Sequence, residues 1–140
     1  MQKIISSLLL FMLSASTAFS QINPENIEII RDKWGVPHIY APTDVEVAYG
    51  LAWATAEDDF KTVQEQLLPI KGLMGSVQGK DGAIADILVQ MLEIDSLVEA
   101  RYDSDLSPQF KKVAEAYVAG ANAYARAHPE EVLHKGLFPN

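Results

Sequence analysis

The chain has 140 residues, 49% of them hydrophobic and 21% charged, which is the balance of a globular protein with one modest core and not of a disordered one. It carries 11 basic against 19 acidic side chains, a formal charge of −8, so the clustered Lys and Arg that phosphate binding needs are missing and a nucleic-acid partner is excluded. With no cysteine, disulfides, thiolate zinc sites and thiol redox chemistry are excluded as well.

At the N-terminus, Lys3 is followed by the apolar run Ile4 to Leu13 and then by small residues up to Ala18-Phe19-Ser20. That is the layout of a secretory signal peptide over residues 1–20, with cleavage before Gln21 and a mature part over 21–140. The run is shorter than the roughly 20 residues a membrane span requires, so export to the periplasm or outside is expected, with no membrane association after cleavage. Without Lys3 the balance is 10 basic against 19 acidic residues, a formal charge of −9.

Ile27 to Arg31 and Val36 to Tyr40 are rich in β-branched and aromatic residues, and Asp32-Lys33-Trp34-Gly35 lies between them. Two short strands joined by a turn are predicted, the second at an edge because of Pro37. Thr43-Asp44-Val45-Glu46 has capping-box spacing, so a helix starts there. It is apolar on nearly every face from Val47 to Ala56, turns polar afterwards, and ends at Pro69 and Gly72. A helix of that kind needs cover on several sides, and its faces are expected to be only partly covered by this chain.

Gly72 to Gly82 reads as a glycine-rich surface loop. Ile84, Ile87, Leu88, Met91, Ile94 and Val98 then recur at helical intervals and predict a second helix. Ser107-Pro108 is a cap and first-turn pair, and Phe110, Val113, Ala114, Tyr117, Val118, Ala121, Tyr124 and Ala125 form a stripe that predicts a third. His128-Pro129 stops it. Glu130 to Asn140 has no cap or closing element, so the mature part is expected to be the incomplete opening of a longer chain.

Arg31-Asp32, the run Gly35-Val36-Pro37-His38-Ile39-Tyr40-Ala41, Tyr49-Gly50-Leu51, Ala56-Glu57-Asp58, and then Gly72, Gly79, Tyr117, Gly120 and Asn122 follow one another in an order and spacing that resemble the start of the α chain in the penicillin acylase family of N-terminal nucleophile hydrolases. The resemblance covers most of Ile27 to Tyr124. It implies a mainly α fragment with a short N-terminal β hairpin, belonging to an αββα sandwich whose centre comes from a β chain of the same precursor. It also implies hydrolysis of linear amides of N-acyl compounds, such as β-lactam antibiotics or acyl-homoserine lactones, by a serine that autoproteolysis places at the start of the β chain. A serine is a weak nucleophile without a base and oxyanion donors. The resemblance assigns all of these to the β chain, so no catalytic and no cofactor-binding residue is expected in this chain. The penicillin G type binds calcium in the complete enzyme, with its α-chain ligand expected beyond Asn140, and no metal is expected here. One position departs: Asp59 stands where the penicillin G type usually has arginine, which resembles the branch of acyl-homoserine lactone and aculeacin acylases.

Other constellations are weaker. The histidines His38, His128 and His134 accompany no Gly-x-Ser-x-Gly elbow, and His38 reads as a turn histidine bonded to backbone. Gly75 to Asp81 lacks the first glycine and the final Ser or Thr of a phosphate loop, and Asp81, Asp86, Glu93 and Asp95 miss calcium-loop spacing. Glu57, Asp58 and Asp59 sit where the first helix turns polar, and partly buried carboxylates there need partners. Asp58 is expected to pair with Arg31 and lock the first strand to the helix. A second reading, a stand-alone exported helical binding protein, accounts for the helices equally well but not for the dense run from Ile29 to Phe60.

Overall fold

The computed structural model describes residues 22–134 and 136–138; the signal peptide read over 1–20 lies outside them. After a 3-10 turn at Pro24–Asn26 come β1 (Glu28–Arg31) and β2 (Pro37–Tyr40), then α1 (Asp44–Ile70), α2 (Met74–Gln78), α3 (Lys80–Met91), α4 (Ile94–Asp105) and α5 (Pro108–Ala127). A final 3-10 turn spans Pro129–Glu131. The protein is therefore mainly helical with one short hairpin, as predicted.

The hairpin is antiparallel, with Glu28 opposite Tyr40, Ile29 opposite Ile39, Ile30 opposite His38 and Arg31 opposite Pro37. Pro37 opens β2, where a missing N–H is tolerated. Strand alternation puts Ile29, Arg31, Pro37 and Ile39 on the shielded face and Glu28, Ile30, His38 and Tyr40 on the exposed one. Gly35, at φ +83°, allows the tight turn between the strands.

Thr43 caps α1 as predicted, its Oγ1 accepting the Glu46 N–H at 3.4 Å, but the Glu46 carboxylate accepts the Thr43 hydroxyl at 3.0 Å and not the backbone N–H of a full capping box. The apolar first half of α1 lies between two partners. Gly50 sits under the hairpin, where an added Cβ would stand 2.8 Å from Ile27 Cγ2 and 2.9 Å from Ile39 Cγ2. Ala48, Ala52 and Ala56 are buried, and α5 makes the most extensive contact with α1. At Gly120 the two backbones come so close that a Cβ would meet the Tyr49 carbonyl oxygen at 2.2 Å. The small residues of the first half of α1 thus let the hairpin and α5 both approach closely, while Leu51 stays exposed and Val47, Tyr49 and Trp53 half-buried, so its faces are only partly covered, as expected.

Three expectations are corrected. The predicted glycine-rich loop contains α2 and the start of α3, separated by Gly79 at φ +65°. Gly82 lets α3 cross α2, since a Cβ there would meet Met74 O at 2.2 Å. The predicted second helix is two, α3 and α4, split at Glu93, whose φ of 48° is left-handed although the residue has a Cβ. On α5 the buried residues are Ala116, Gly120, Tyr124 and Ala125, while Phe110, Tyr117 and Val118 of the predicted stripe are exposed. Small side chains, with Tyr124 as the one large buried residue, form the contact, because they permit the close approach at Gly120.

Ser107 caps α5 through Phe110 N–H at 3.2 Å, and His128 ends it, both as predicted. The chain then folds back along α1. Phe60, Ala56, Tyr124 and Ala125 form the core, with Trp53, Val63, Val132 and Phe138 packed around them. Tyr124 meets Trp53 and Phe60 edge-on, with ring centroids 5.3 and 5.1 Å away.

Candidate functional site

Arg31 points from the shielded face of β1 toward α1, and this places its guanidinium between the hairpin and the middle of the helix. One nitrogen donates to Glu57 Oε2 at 2.6 Å; the other meets Asp58 Oδ1 at 2.8 Å and donates to the Gly35 carbonyl at 2.9 Å. The expected pair of Arg31 with Asp58 is present, and Glu57 is a second partner that the sequence did not single out. A planar fork with several fixed donors suits this three-way contact, where an ammonium group would not. Its bond to Glu57 and the charge of Asp58 hold the guanidinium pKa above its ordinary value. The carboxylates are half-exposed, at 48% and 52%, so the clamp orders the hairpin more than it drives folding.

Asp32 organises the turn. Its Oδ1 accepts the N–H groups of Trp34 at 2.8 Å and Val36 at 3.0 Å, which hold its pKa low. His38 Nε2 lies 3.6 Å from Asp32 Oδ2. The histidine's partner is therefore a carboxylate and not the backbone group expected from the sequence, because its position on the exposed face of β2 turns it toward the turn that Asp32 builds. Asp59, the third acid, turns away from the clamp. Its carboxylate accepts the Thr62 hydroxyl at 2.6 Å and the Thr62 N–H at 3.0 Å, and these bonds lower its pKa.

No histidine of the described residues is hydrogen-bonded to a serine. The Ser76 and Ser104 hydroxyls donate to the carbonyls of Leu73 and Arg101. His128 stacks on Tyr124 with centroids 4.3 Å apart, and its Nδ1 lies 3.6 Å from Glu130 and 3.7 Å from Glu131. Ligand atoms of His128, Glu130 and Glu131 come within 4.8 Å of one another, but Glu131 also accepts the Tyr124 hydroxyl at 3.1 Å, and both acids face solvent. Gly75 to Asp81 offers no anion cradle: the first N–H groups of α2, Met74 and Gly75, are taken by the Asp86 carboxylate at 2.9 and 2.7 Å. That bond also commits Asp86 to the fold, away from any acidic ion site. A cleft of about 210 Å³ lies between hairpin and α1, lined by Pro24, Ile27, Ile29, Tyr49, Gly50 and Trp53.

Gln64 was missed in the sequence. Its side chain is fully buried and ties α1 to the returning segment: Nε2 donates to Glu131 O at 3.0 Å and Phe60 O at 3.3 Å, and Oε1 accepts from Leu133 N at 2.7 Å and His134 N at 3.3 Å. Its signal was present, since it occupies the same four-residue row as Ala52, Ala56 and Phe60, but a polar residue on a helix that has turned polar attracts no notice.

These side chains define a scaffold that orders a hairpin on a helix pair. Residues 26–138 match the model of the family described as penicillin amidase, and the chain belongs to that family. It is 32% identical over 114 residues to a penicillin acylase 2 proenzyme of a Pseudomonas strain, covering 80% of this chain and 14% of that protein. Similarity to a penicillin G acylase of Escherichia coli is 27% over 84% of this chain and 14% of the relative. An acyl-homoserine lactone acylase, PvdQ, of Pseudomonas fluorescens is 24% identical over 92% of this chain and 18% of its own length. The fold is similar to that of a thermostable penicillin G acylase from Alcaligenes faecalis, with a TM-score of 0.66 at 24% identity, covering 81% of this chain and 58% of that one. The chain thus spans about a seventh of the curated penicillin acylases it matches. Among the described residues no helix is long and apolar enough to cross a membrane.

Proposed function

We propose that this chain is the opening of the α chain of an exported acylase precursor that hydrolyses the linear amide bond of small N-acyl compounds. The observation that carries the reading is the family match over residues 26–138. In this reading the chain contributes no reacting group. A serine at the start of a β chain attacks the acyl carbonyl, its own α-amino group takes the proton, and donors of the same β chain hold the oxyanion. The residues described above do the work of a scaffold: Arg31 fixes the hairpin, Gly50 and Gly120 permit close packing, and Gln64 returns the chain along α1.

Relatives named as penicillin acylases and as acyl-homoserine lactone acylases both match. We favour the second branch for the substrate, a longer aliphatic acyl group, because Asp59 accepts two bonds from Thr62 that an arginine in its place cannot accept. The test is to express the full-length gene product with its leader, look for two chains by mass spectrometry, and assay amide release from phenylacetyl amides and from long-chain acyl-homoserine lactones. Release from the lactones supports the whole reading; release from phenylacetyl amides alone keeps the acylase and overturns the branch. A processed, folded protein that releases neither overturns amide hydrolysis.

A further inference from the structure

Three consecutive carboxylates stand in the middle of α1 and divide between two tasks. Glu57 and Asp58 are held from the hairpin side by Arg31. Asp59 leaves helical geometry, at φ −157° and ψ 74°, and its two carboxylate oxygens accept the N–H and the hydroxyl of Thr62. Those are the contacts of a helix N-cap placed inside a longer element. We infer that Asp59 is a positioning residue, a fixed elbow that sets the angle between the first half of α1, bound to the hairpin and α5, and the second half, from which the α2 to α4 arm springs.

The buried row of α1 shows why an elbow is needed. Ala48, Ala52, Ala56, Phe60, Gln64 and Leu68 are all buried and all four residues apart. Each four-residue step overshoots a helical turn by about 40°, so over five steps a straight helix would carry the row roughly 200° around its axis. Leu68 would then face away from the side that Ala48 buries. A break after Asp58 resets the helix direction, and Phe60, directly after it, drops into the core against Tyr124 and Phe138, with ring centroids 5.1 Å away in each case.

The arm itself is lightly attached. Asp86 ties α3 to α2, and α4 is joined to α5 by Lys111 to Asp103 at 2.7 Å and Tyr102 to Glu115 at 2.9 Å. Its apolar residues Ile84, Ile87, Leu88 and Met91 are 54 to 74% exposed. With so little holding the arm sideways, the elbow, together with Phe60 against Tyr124 and Gln64 on the returning segment, decides where this apolar row stands relative to the hairpin.

Spin labels on cysteines introduced at exposed Lys33 in the hairpin turn and exposed Glu99 in α4, with any cysteine elsewhere in the full-length protein replaced by serine, report that angle by double electron–electron resonance. In the full-length protein, Asp59→Asn keeps an acceptor of equal capping strength and leaves the distance unchanged. Asp59→Leu removes both acceptors and lets α1 straighten. A straightening of about 20°, carried over the roughly 16 Å from residue 59 to residue 70, moves the mean distance by roughly 5 Å. Thr62→Val removes only the hydroxyl bond and gives a smaller shift in the same direction. A folded Leu variant with the wild-type distance overturns the elbow, as does an Asn variant that shifts as far as Leu. If the Leu variant fails to fold, Thr62→Val decides, and an unchanged distance there overturns the inference. The readout is geometric and stands whether or not the protein cleaves an amide.

Discussion

Replacing Gln64 by leucine separates its hydrogen bonds from its volume. Among the described residues the side chain is the largest that is fully buried, and three backbone groups of the returning segment, Glu131 C=O, Leu133 N–H and His134 N–H, are paired to it. Leucine fills nearly the same space but leaves those groups without partners. A buried polar group left unpaired costs about 1–3 kcal/mol. The two short bonds, at 3.0 and 2.7 Å, bear most of this, and the 3.3 Å contact to His134 adds little. Against the sum stands the gain from burying a more apolar side chain, of order 1 kcal/mol. Gln64→Leu is therefore expected to destabilise by about 2–3 kcal/mol. The segment also has an easier escape than global unfolding: it can peel from α1, taking buried Leu137 and half-buried Phe138 with it. Denaturant unfolding followed through Trp53, which packs on Tyr124, measures the global part, and amide exchange at Leu133 and His134 measures the peeling. Stability within about 0.5 kcal/mol of wild type together with unchanged exchange would refute the reasoning.

Gly120→Ala is expected to cost about 2–3 kcal/mol, because the Tyr49 carbonyl that its Cβ would meet is backbone and α1 must move as a body to make room; thermal unfolding of the two forms checks it. Arg31→Lys keeps the charge but not the fork that reaches Glu57, Asp58 and the Gly35 carbonyl together, so amide exchange across Asp32 to Val36 should accelerate while the α5 core stays protected. Asp58→Asn should loosen the same amides less, since Glu57 remains bound. Burial first, and then the bond to Glu131, push the Tyr124 hydroxyl pKa upward. A group whose folded pKa is raised contributes stability fully below its unfolded pKa, about 10, and loses it as pH rises through the folded value. The stability difference between wild type and Tyr124→Phe, which cannot titrate, should accordingly be constant below about pH 10 and narrow above it, and denaturant unfolding at several alkaline pH values tests that sign.

Elements whose signals are local were legible in the sequence. Thr43, Ser107 and His128-Pro129 act on the turn they belong to, and they bound α1 and α5 where the sequence put them. The hairpin followed from two runs of β-branched and aromatic residues around a turn, and Arg31 with Asp58 followed from the cost of an unpaired carboxylate beside an apolar helix. What was not legible depends on distance through space. Glu93 takes a left-handed backbone without being glycine, so no residue type announced the split between α3 and α4. Gly82 looked like a loop glycine because the feature that requires it, the Met74 carbonyl of a crossing helix, is visible only after folding.

The same distinction explains what the dense family resemblance rests on. Gly50 and Gly120 recur in the pattern because a Cβ would strike the hairpin or the neighbouring helix, Gly35 because the turn needs positive φ, and Arg31 because it alone reaches three acceptors across two elements. Each is a packing requirement of the fold, satisfied within residues 22–138. The large apolar side chains tell the opposite story. Ile87, Leu88 and Met91 of α3 and Phe110 and Val118 of α5 follow helical spacing as faithfully as any core residue, yet all five are exposed. Among the described residues the core is made instead mostly by alanines, glycines and one glutamine, with Leu68, Leu137, Phe60 and Tyr124 as its larger apolar members. Periodicity shows that a residue lies on an apolar face, and side-chain size then decides which of two faces can be approached by a neighbouring helix. In this chain the small face was taken internally. The large face of α3 thus keeps its apolar surface while its orientation is fixed by polar contacts at a distance, those of Asp59 with Thr62 and of Asp86 with α2.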